Sequence, residues 1–480
     1  MKPIIIFSVF ICFLISRNCV SQILPSDSGS YSFVGNRTFI FVDSSRSNRN
    51  ISSLVYYPSE SEGSGAPVLQ GNLYPVISFG HGFTLNPNLY VSLYRHLASW
   101  GYIVIAPSTE TGFFPSHINF ARDLVFVLKD MKRKGRSSGD IFYQVIDSLN
   151  TGVFGHSMGG GCSFLAGSLD SNISAISSLA AANTNPSSIS AASGIKKPVQ
   201  LLSGQRDSIA SYWTNQLPHF NNSFPFKQII NLKGGNHSQF HLVPGLDDLV
   251  DNAATISRIE QQRLTKYYVT SFFNLFLKND TSYKKFLYGT EAQNDTAVIQ
   301  QYVNFELKSL IQGFYNENLR IMRNDSVRIY IRNNSSPYII RDSSINVLND
   351  SGYCTFGFDR TNENEKYFLQ IIHRNSVETW SSVGGLTFWL SGSSYDFTSD
   401  SSGAFGNNLF LKGDRYCIYN GDVNRDNVID LQDLGLTDND VFYFKTGYVI
   451  SDLTGDLITD SDDLAITDNN ALLFISAIIP

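Results

Sequence analysis

Residues 152–161 read GVFGHSMGGG, a short apolar run that breaks into a serine set among glycines. Few folds accept such a segment except at a sharp strand-to-helix turn, where flanking side chains would collide with backbone. Gly155-His156-Ser157-Met158-Gly159 therefore points to an elbow that exposes Ser157 Oγ at the end of a strand, with CSFLAGSLD continuing as a helix. The same pattern also suits plain tight packing or a phosphate cradle. A phosphate loop would need a lysine after its glycines, and none follows here.

A serine hydroxyl is a poor nucleophile at its own pKa, so it needs a base, an acid to orient the base, and donors for an oxyanion. VISFG (76–80), YIVIAPS (102–108), GVFGHS (152–157), VQLLSG (199–204) and QIINLKG (228–234) read as buried strands. They alternate with helical patterns at 120–135 and 256–277, which predicts an α/β fold, a mostly parallel, doubly wound sheet with its active site at the strand C-termini. Asp207 follows the strand VQLLSG. His237 lies in the glycine-rich loop after QIINL and before the last helix, a position that His81, His156, His219 and His241 do not share. These are the predicted acid and base for Ser157. The backbone N–H of Met158 and of Phe83, in the loop FGHGFTLNP after the first buried strand, are the predicted oxyanion donors. Phe83, Phe113, Phe114, Trp213 and Phe240 are candidates to line an apolar acyl pocket, or else ordinary core residues.

At 480 residues the chain is too long for one ordinary domain, and 42% hydrophobic residues suffice for packed cores. The net charge of -6 leaves no basic face for nucleic acid. A Lys2, an apolar stretch from Pro3 to Ile15 and a small-polar segment give residues 1–21 the layout of a signal peptide, which predicts a secreted protein with no membrane span after cleavage. The predicted organisation continues with a catalytic domain at 30–285, a linker at 286–319, a small antiparallel β-sandwich at 320–416 and a repeat module at 417–480. Three cysteines follow the leader; the spacing of Cys354 and Cys417 leaves open whether they bridge.

The repeat is explicit: DVNRDNVIDLQD (422–433) and DLTGDLITDSDD (452–463) align, each followed by a matching LTDND or ITDNN. Oxygen donors fall at loop positions 1, 3, 5, 9 and 12, as many-oxygen coordination of Ca2+ requires. They are Asp422, Asn424, Asp426, Asp430 and Asp433 in the first loop, and Asp452, Thr454, Asp456, Asp460 and Asp463 in the second. The glycine usual at position 6 is replaced by Asn427, which tolerates positive φ, and by Leu457, which tolerates it poorly.

Taken together, LVYYP (54–58), HGFT (81–84), HLASWGYIVIAP (96–107), GHSMGGG (155–161), RDSIA (206–210) and GGNHS (234–238) resemble the α/β-hydrolases of the dienelactone hydrolase, chlorophyllase and cutinase-like polyester hydrolase group. The resemblance implies an α/β-hydrolase fold, a Ser157-His237-Asp207 triad, an oxyanion hole at Phe83 and Met158, and carboxylic ester hydrolysis without a catalytic cofactor. Polyester hydrolases of this kind carry a tryptophan before the acid strand, where this chain has AAANTNPSS (181–188). Residues 420–480 resemble a dockerin type I module, which implies structural Ca2+ and a cohesin-like or cell-surface partner in a bacterial extracellular setting. A serine peptidase on the same fold and a non-catalytic adhesion or scaffold protein are the alternatives.

Overall fold

Strands buried on both faces need apolar side chains on both sides, and the continuous apolar runs of this chain meet that demand. In the computed structural model, which describes residues 22–480, the strands are β1 (Val34–Asp43), β2 (Arg49–Pro58), β3 (Gly63–Ser64), β4 (Tyr74–Gly80), β5 (Ile103–Pro107), β6 (Ile146–His156), β7 (Ala175–Leu179), β8 (Val199–Gly204), β9 (Lys227–Leu232) and β10 (Val298–Val303), of which β4, β5, β7 and β8 are buried along their whole length. They join one sheet in the order β10-β9-β8-β7-β6-β4-β5-β2-β1-β3. Neighbours from β5 through β4, β6, β7 and β8 to β9 run parallel, while β2 pairs antiparallel with both β1 and β5. The expected signal peptide lies outside the described residues. Among those described, no helix is long and apolar enough to cross a membrane.

Helices cover both faces. α1 (Val91–Ser99) and the long helix Arg258–Leu277 bury Leu93, Leu97, Phe272 and Phe276 on one side; α2 (His117–Lys134) and α3 (Met158–Leu169) bury Phe120, Leu124, Leu128 and Phe164 on the other. α2 starts where Ser116 Oγ accepts the Asn119 N–H at 3.4 Å and ends in Lys132, Arg133 and Lys134, which oppose the negative end of its dipole.

The stretch expected to be a linker, 286–319, is structured. Residues 298–303 form β10, antiparallel to β9, with Val298 opposite Leu232 and Val303 opposite Lys227. Its polar look misleads because the glutamines bond within the fold: Gln228 Nε2 donates to Gln300 Oε1 at 3.2 Å, and Gln300 Nε2 donates to Ala292 O at 2.7 Å. The β-rich region begins at Phe305, not at 320. Phe305–Lys308 lies between Tyr353–Phe356, antiparallel, and Ser393–Asp396, parallel. A second, antiparallel sheet centres on Asp325–Asn333, flanked by Ile340–Leu348 and Lys366–His373. Phe305, Leu307, Ile329, Phe356, Leu369 and Phe388 form their shared core. Cys354 and Cys417 are separate buried free thiols within this region, and Cys162, on α3, is a third.

Each acidic repeat is a loop followed by a helix, Leu431–Phe442 and Ser461–Leu472. Asp430 and Asp460 cap these helices, and the side chains of Asp433 and Asp463 reach back to the cap N–H groups.

Candidate active site

Ser157 stands at the junction of β6 and α3 with φ 55 and ψ -117, a conformation that costs a non-glycine residue about 1–3 kcal/mol. Its own peptide is tied down: Ser157 N–H donates to Leu179 O at 2.9 Å, and Ser157 O accepts from Gly161 and Ala182 N–H, each at 3.0 Å. The glycines of the elbow have a definite reason. A Cβ on Gly159 would lie 2.1 Å from Gly80 O, and one on Gly155 would lie 2.4 Å from Gly159 O. The strand carrying the oxyanion loop and the first turn of α3 therefore touch backbone to backbone.

Asp207 follows β8 and His237 follows β9, and the structure brings them together. His237 Nδ1–H donates to Asp207 Oδ2 at 2.8 Å, with both side chains almost wholly buried. The other carboxylate oxygen of Asp207 accepts the N–H groups of Ile209 and Ala210 at 2.9 and 2.7 Å. This arrangement fixes the tautomer that leaves His237 Nε2 free to act as a base.

Two supports had no signal in the sequence. Asp251 Oδ2 accepts the backbone N–H of His237 at 2.6 Å and of Ser238 at 3.2 Å, while its Oδ1 accepts the N–H of Ser208 at 3.0 Å. One carboxylate thus clips the loop of the acid to the loop of the base. His156, which the sequence offered only as a rival to His237 for the base, forms the second support. The Tyr90 hydroxyl accepts the Gly82 N–H at 3.3 Å and donates to His156 Nδ1 at 2.8 Å; His156 Nε2–H then donates to His237 O at 3.2 Å. Complete burial, with the neighbouring His237 and His241 adding to it, holds the His156 pKa well below the ordinary value, so its ring is neutral and can accept from Tyr90. The rings of His156 and His237 lie 4.6 Å apart.

The remaining predicted residues divide. Met158 opens α3 and is buried, and Phe83 follows β4 in the loop that His81 braces through ring contacts of 2.8 Å to Gly82 O and Thr109 O. His219 is buried against Phe164 of α3 and held by Ser188 Oγ and Asn215 O. Of the aromatic residues weighed as acyl-pocket lining or as ordinary core, Phe240 is core, packed 5.7 Å from the His156 ring. Phe83, Phe113, Phe114 and Trp213 are 47%, 78%, 99% and 73% exposed, so they present apolar surface to solvent.

The acidic loops fit a hard cation unequally. In the first, one oxygen each from Asp422, Asp426 and Asp433 lies within 4.8 Å of the others. Asp422 and Asp433 are buried, and burial together with the charges of Asp433 and Asp426 pushes the Asp422 pKa up to about 6. Such a crowd of carboxylates is what a calcium ion relieves. Asp430 does not join that group, its Oδ1 being taken by the Gln432 N–H at 2.7 Å. Asn427 and Leu457 both adopt φ 70. The expected objection to leucine at position 6 therefore does not stop the second loop from turning, because the Leu457 N–H is held by Asp452 Oδ2 at 3.2 Å. Asp452 and Asp463 are buried there, Thr454 Oγ1 is buried without a partner, and Asp456 and Asp460 complete the loop.

A mostly parallel sheet with a serine at a strained strand-to-helix turn after β6 and an Asp–His pair after β8 and β9 defines an α/β-hydrolase. A family model described as PET hydrolase-like matches residues 43–305, more than half of the chain, and the chain belongs to that family. It is a carboxylic ester hydrolase. Cutinase 2 of Thermobifida cellulosilytica is 26% identical over 241 residues, covering 48% of this chain and 76% of the relative. Cutinase cut1 of Thermobifida fusca is 26% identical over the same length, which is 62% of that protein.

Proposed function

We propose that this protein is a secreted serine esterase that works through an acyl-enzyme, with Ser157 as nucleophile, His237 as base and Asp207 as the group that orients it. The observation that supports this reading is the buried 2.8 Å contact from His237 Nδ1–H to Asp207 Oδ2, together with the strained φ of 55 that Ser157 adopts at its strand-to-helix turn. His237 Nε2 takes the Ser157 proton as Oγ attacks the ester carbonyl. The imidazolium formed is stabilised by Asp207 and then protonates the leaving alkoxide. A water deprotonated by His237 attacks the acyl-enzyme, and collapse returns the proton to Ser157. The N–H groups of Met158 and Phe83 serve the oxyanion. Met158 sits at the positive end of α3, which favours negative charge there.

Polyester or cutin-like substrates are the favoured class, supported by the cutinase relatives and by the exposed Phe83, Phe113, Phe114 and Trp213, a surface better suited to lying on an insoluble polymer than to enclosing a small acyl chain. The N-terminal leader supports secretion. The module at 417–480 acts as a dockerin-like attachment unit with structural Ca2+ held by Asp422, Asp426 and Asp433; the cation would neutralise these carboxylates and order the loop ahead of its helix. A cohesin-like or cell-surface partner is its expected target. The deciding experiment is turnover of p-nitrophenyl esters from acetyl to palmitoyl and of a polyester film, by the mature chain and by Ser157→Ala. Loss of all turnover in the variant is expected; unchanged turnover would refute the assignment. Film erosion without a preference for long soluble esters would mark a polymer-surface enzyme.

A further inference from the structure

The two acidic loops share a sequence pattern but not an electrostatic environment. In the first, Asp422 accepts backbone N–H groups alone, those of Asp426 and Asn427 at 3.1 Å each and that of Arg425, and no Arg or Lys side chain pairs with Asp422, Asp426 or Asp433 among the described residues. In the second, the equivalent Asp452 already has four donors. Three are the N–H groups of Gly455, Asp456 and Leu457 at 2.8, 3.1 and 3.2 Å. The fourth is Nη2 of Arg374, 3.1 Å from Asp452 Oδ2, and it comes from the β-sandwich.

Arg374 is placed for this contact by the sandwich itself. Its Nε donates to Asp325 Oδ2 at 2.8 Å, its Nη1 donates to Val449 O, and its guanidinium lies 4.2 Å from the centre of the Tyr448 ring. Tyr448 O–H donates to the other oxygen of Asp325 at 2.7 Å. The next residue, Asn375, donates through Nδ2 to Ile450 O at 3.0 Å and Asp452 O at 2.9 Å. A second sandwich arginine, Arg323, donates to Thr454 O at 2.9 Å and stands 3.7 Å from Asp456 Oδ2. Asp452 is fully buried, and among the described residues Arg374 is the one cationic side chain that pairs with it, beside its three backbone donors.

We infer that the loops have diverged in role: the first binds a divalent cation, while the second is closed by Arg374 and Arg323 and serves as an internal latch that fastens the repeat module to the β-sandwich. This rests on the calcium reading of the first loop, but only for its metal half. A dication at Asp452 would sit against a guanidinium screened from water, which disfavours it strongly at low local dielectric. The unpartnered Thr454 Oγ1 marks what the second loop retains of a cation site. Removing Arg374 should therefore reopen it.

The experiment uses the full mature chain and Ca2+ as the probe. Calorimetric titration after chelation should count one tight calcium in the wild type and in Asp452→Asn, and none in Asp422→Asn. Arg374→Gln should count two, and calcium should raise its Tm by several degrees more than it raises that of the wild type. Two sites of similar affinity in the wild type, one of them lost in Asp452→Asn, would overturn the division of roles. The latch is tested separately in EDTA with Arg374→Gln, Asp452→Asn and the double variant. Each single change should lower Tm by about 5 °C or more, and the double variant should fall little further than either. Additive losses would overturn the latch whatever the calcium count. If the wild type binds no calcium, the reading of the first loop fails while this cycle still decides the second. Should Arg374→Gln fail to fold, Arg323→Gln with Asp456→Asn supplies the same cycle at the second contact.

Discussion

At the scale of single residues, the chemistry is held in place by groups that never touch an ester. Asp251 binds the backbone of His237 and Ser208 from one carboxylate. Asp251→Asn keeps the size but loses charge-assisted bonds, and the base then drifts relative to Asp207. We expect kcat to fall about 10- to 100-fold with KM nearly unchanged, the equivalent of roughly 1.4–2.7 kcal/mol. Steady-state kinetics with a soluble ester would show this, and a KM effect alone would contradict a positioning role. His156→Phe tests the other support. It leaves the buried Tyr90 hydroxyl without its acceptor, so thermal denaturation should show a loss of roughly 1–3 kcal/mol alongside slower turnover.

At the scale of elements, the elbow is a contact between two pieces of backbone. Gly159→Ala forces a methyl against Gly80 O and should cost about 3 kcal/mol or more, because neither the strand nor the helix can retreat without breaking its ladder. Gly139→Ala, where nothing lies within 4 Å of the new Cβ, is the matched control and should leave Tm unchanged. The first acidic loop yields a pH prediction whose sign is fixed by Asp422. Its folded pKa is raised, to about 6, above the ordinary carboxylate value of 3.8. The folded state therefore holds a proton that the unfolded state gives up, and stability falls as pH rises through that window. In EDTA the Tm attributable to the module should be lower at pH 7 than at pH 5. Saturating calcium should remove that difference, because the cation takes the proton's place.

At the scale of the whole molecule, the catalytic sheet and the β-sandwich meet at a strand edge. β10 covers β9, the strand that delivers His237, and the Phe226 N–H just before β9 donates to Ser391 O of the sandwich at 2.8 Å. A chain cut at 285, where composition changes, loses β10 and bares the edge of β9 to water and to other molecules. We expect that fragment to aggregate or to lose most esterase activity, whereas a fragment ending at 304 keeps the sheet closed and retains more of both. Size-exclusion chromatography and specific activity of the two fragments would decide; equal behaviour would mean that β10 is dispensable.

Much of this was written in local sequence, for reasons that are themselves local. The periods of β4, β5, β8 and β9, and the helical spacing of α2, were visible because a strand buried on both faces must be apolar throughout and an amphipathic helix must repeat every few residues. GHSMGGG announced the elbow because only glycine permits its close approach, and Asp207 and His237 were legible as residues just beyond strand ends. β10 was hidden because glutamines that bond to one another inside a fold have the composition of a solvated linker. Asp251 and His156 were hidden because their roles consist of contacts with loops far away in the chain. The acidic repeat offered two oxygen-rich loops, the second weakened only by Leu457 at its turn. Only the folded chain decided that Arg374 lies against one of them and not the other, because a charge is compensated by what stands beside it in space.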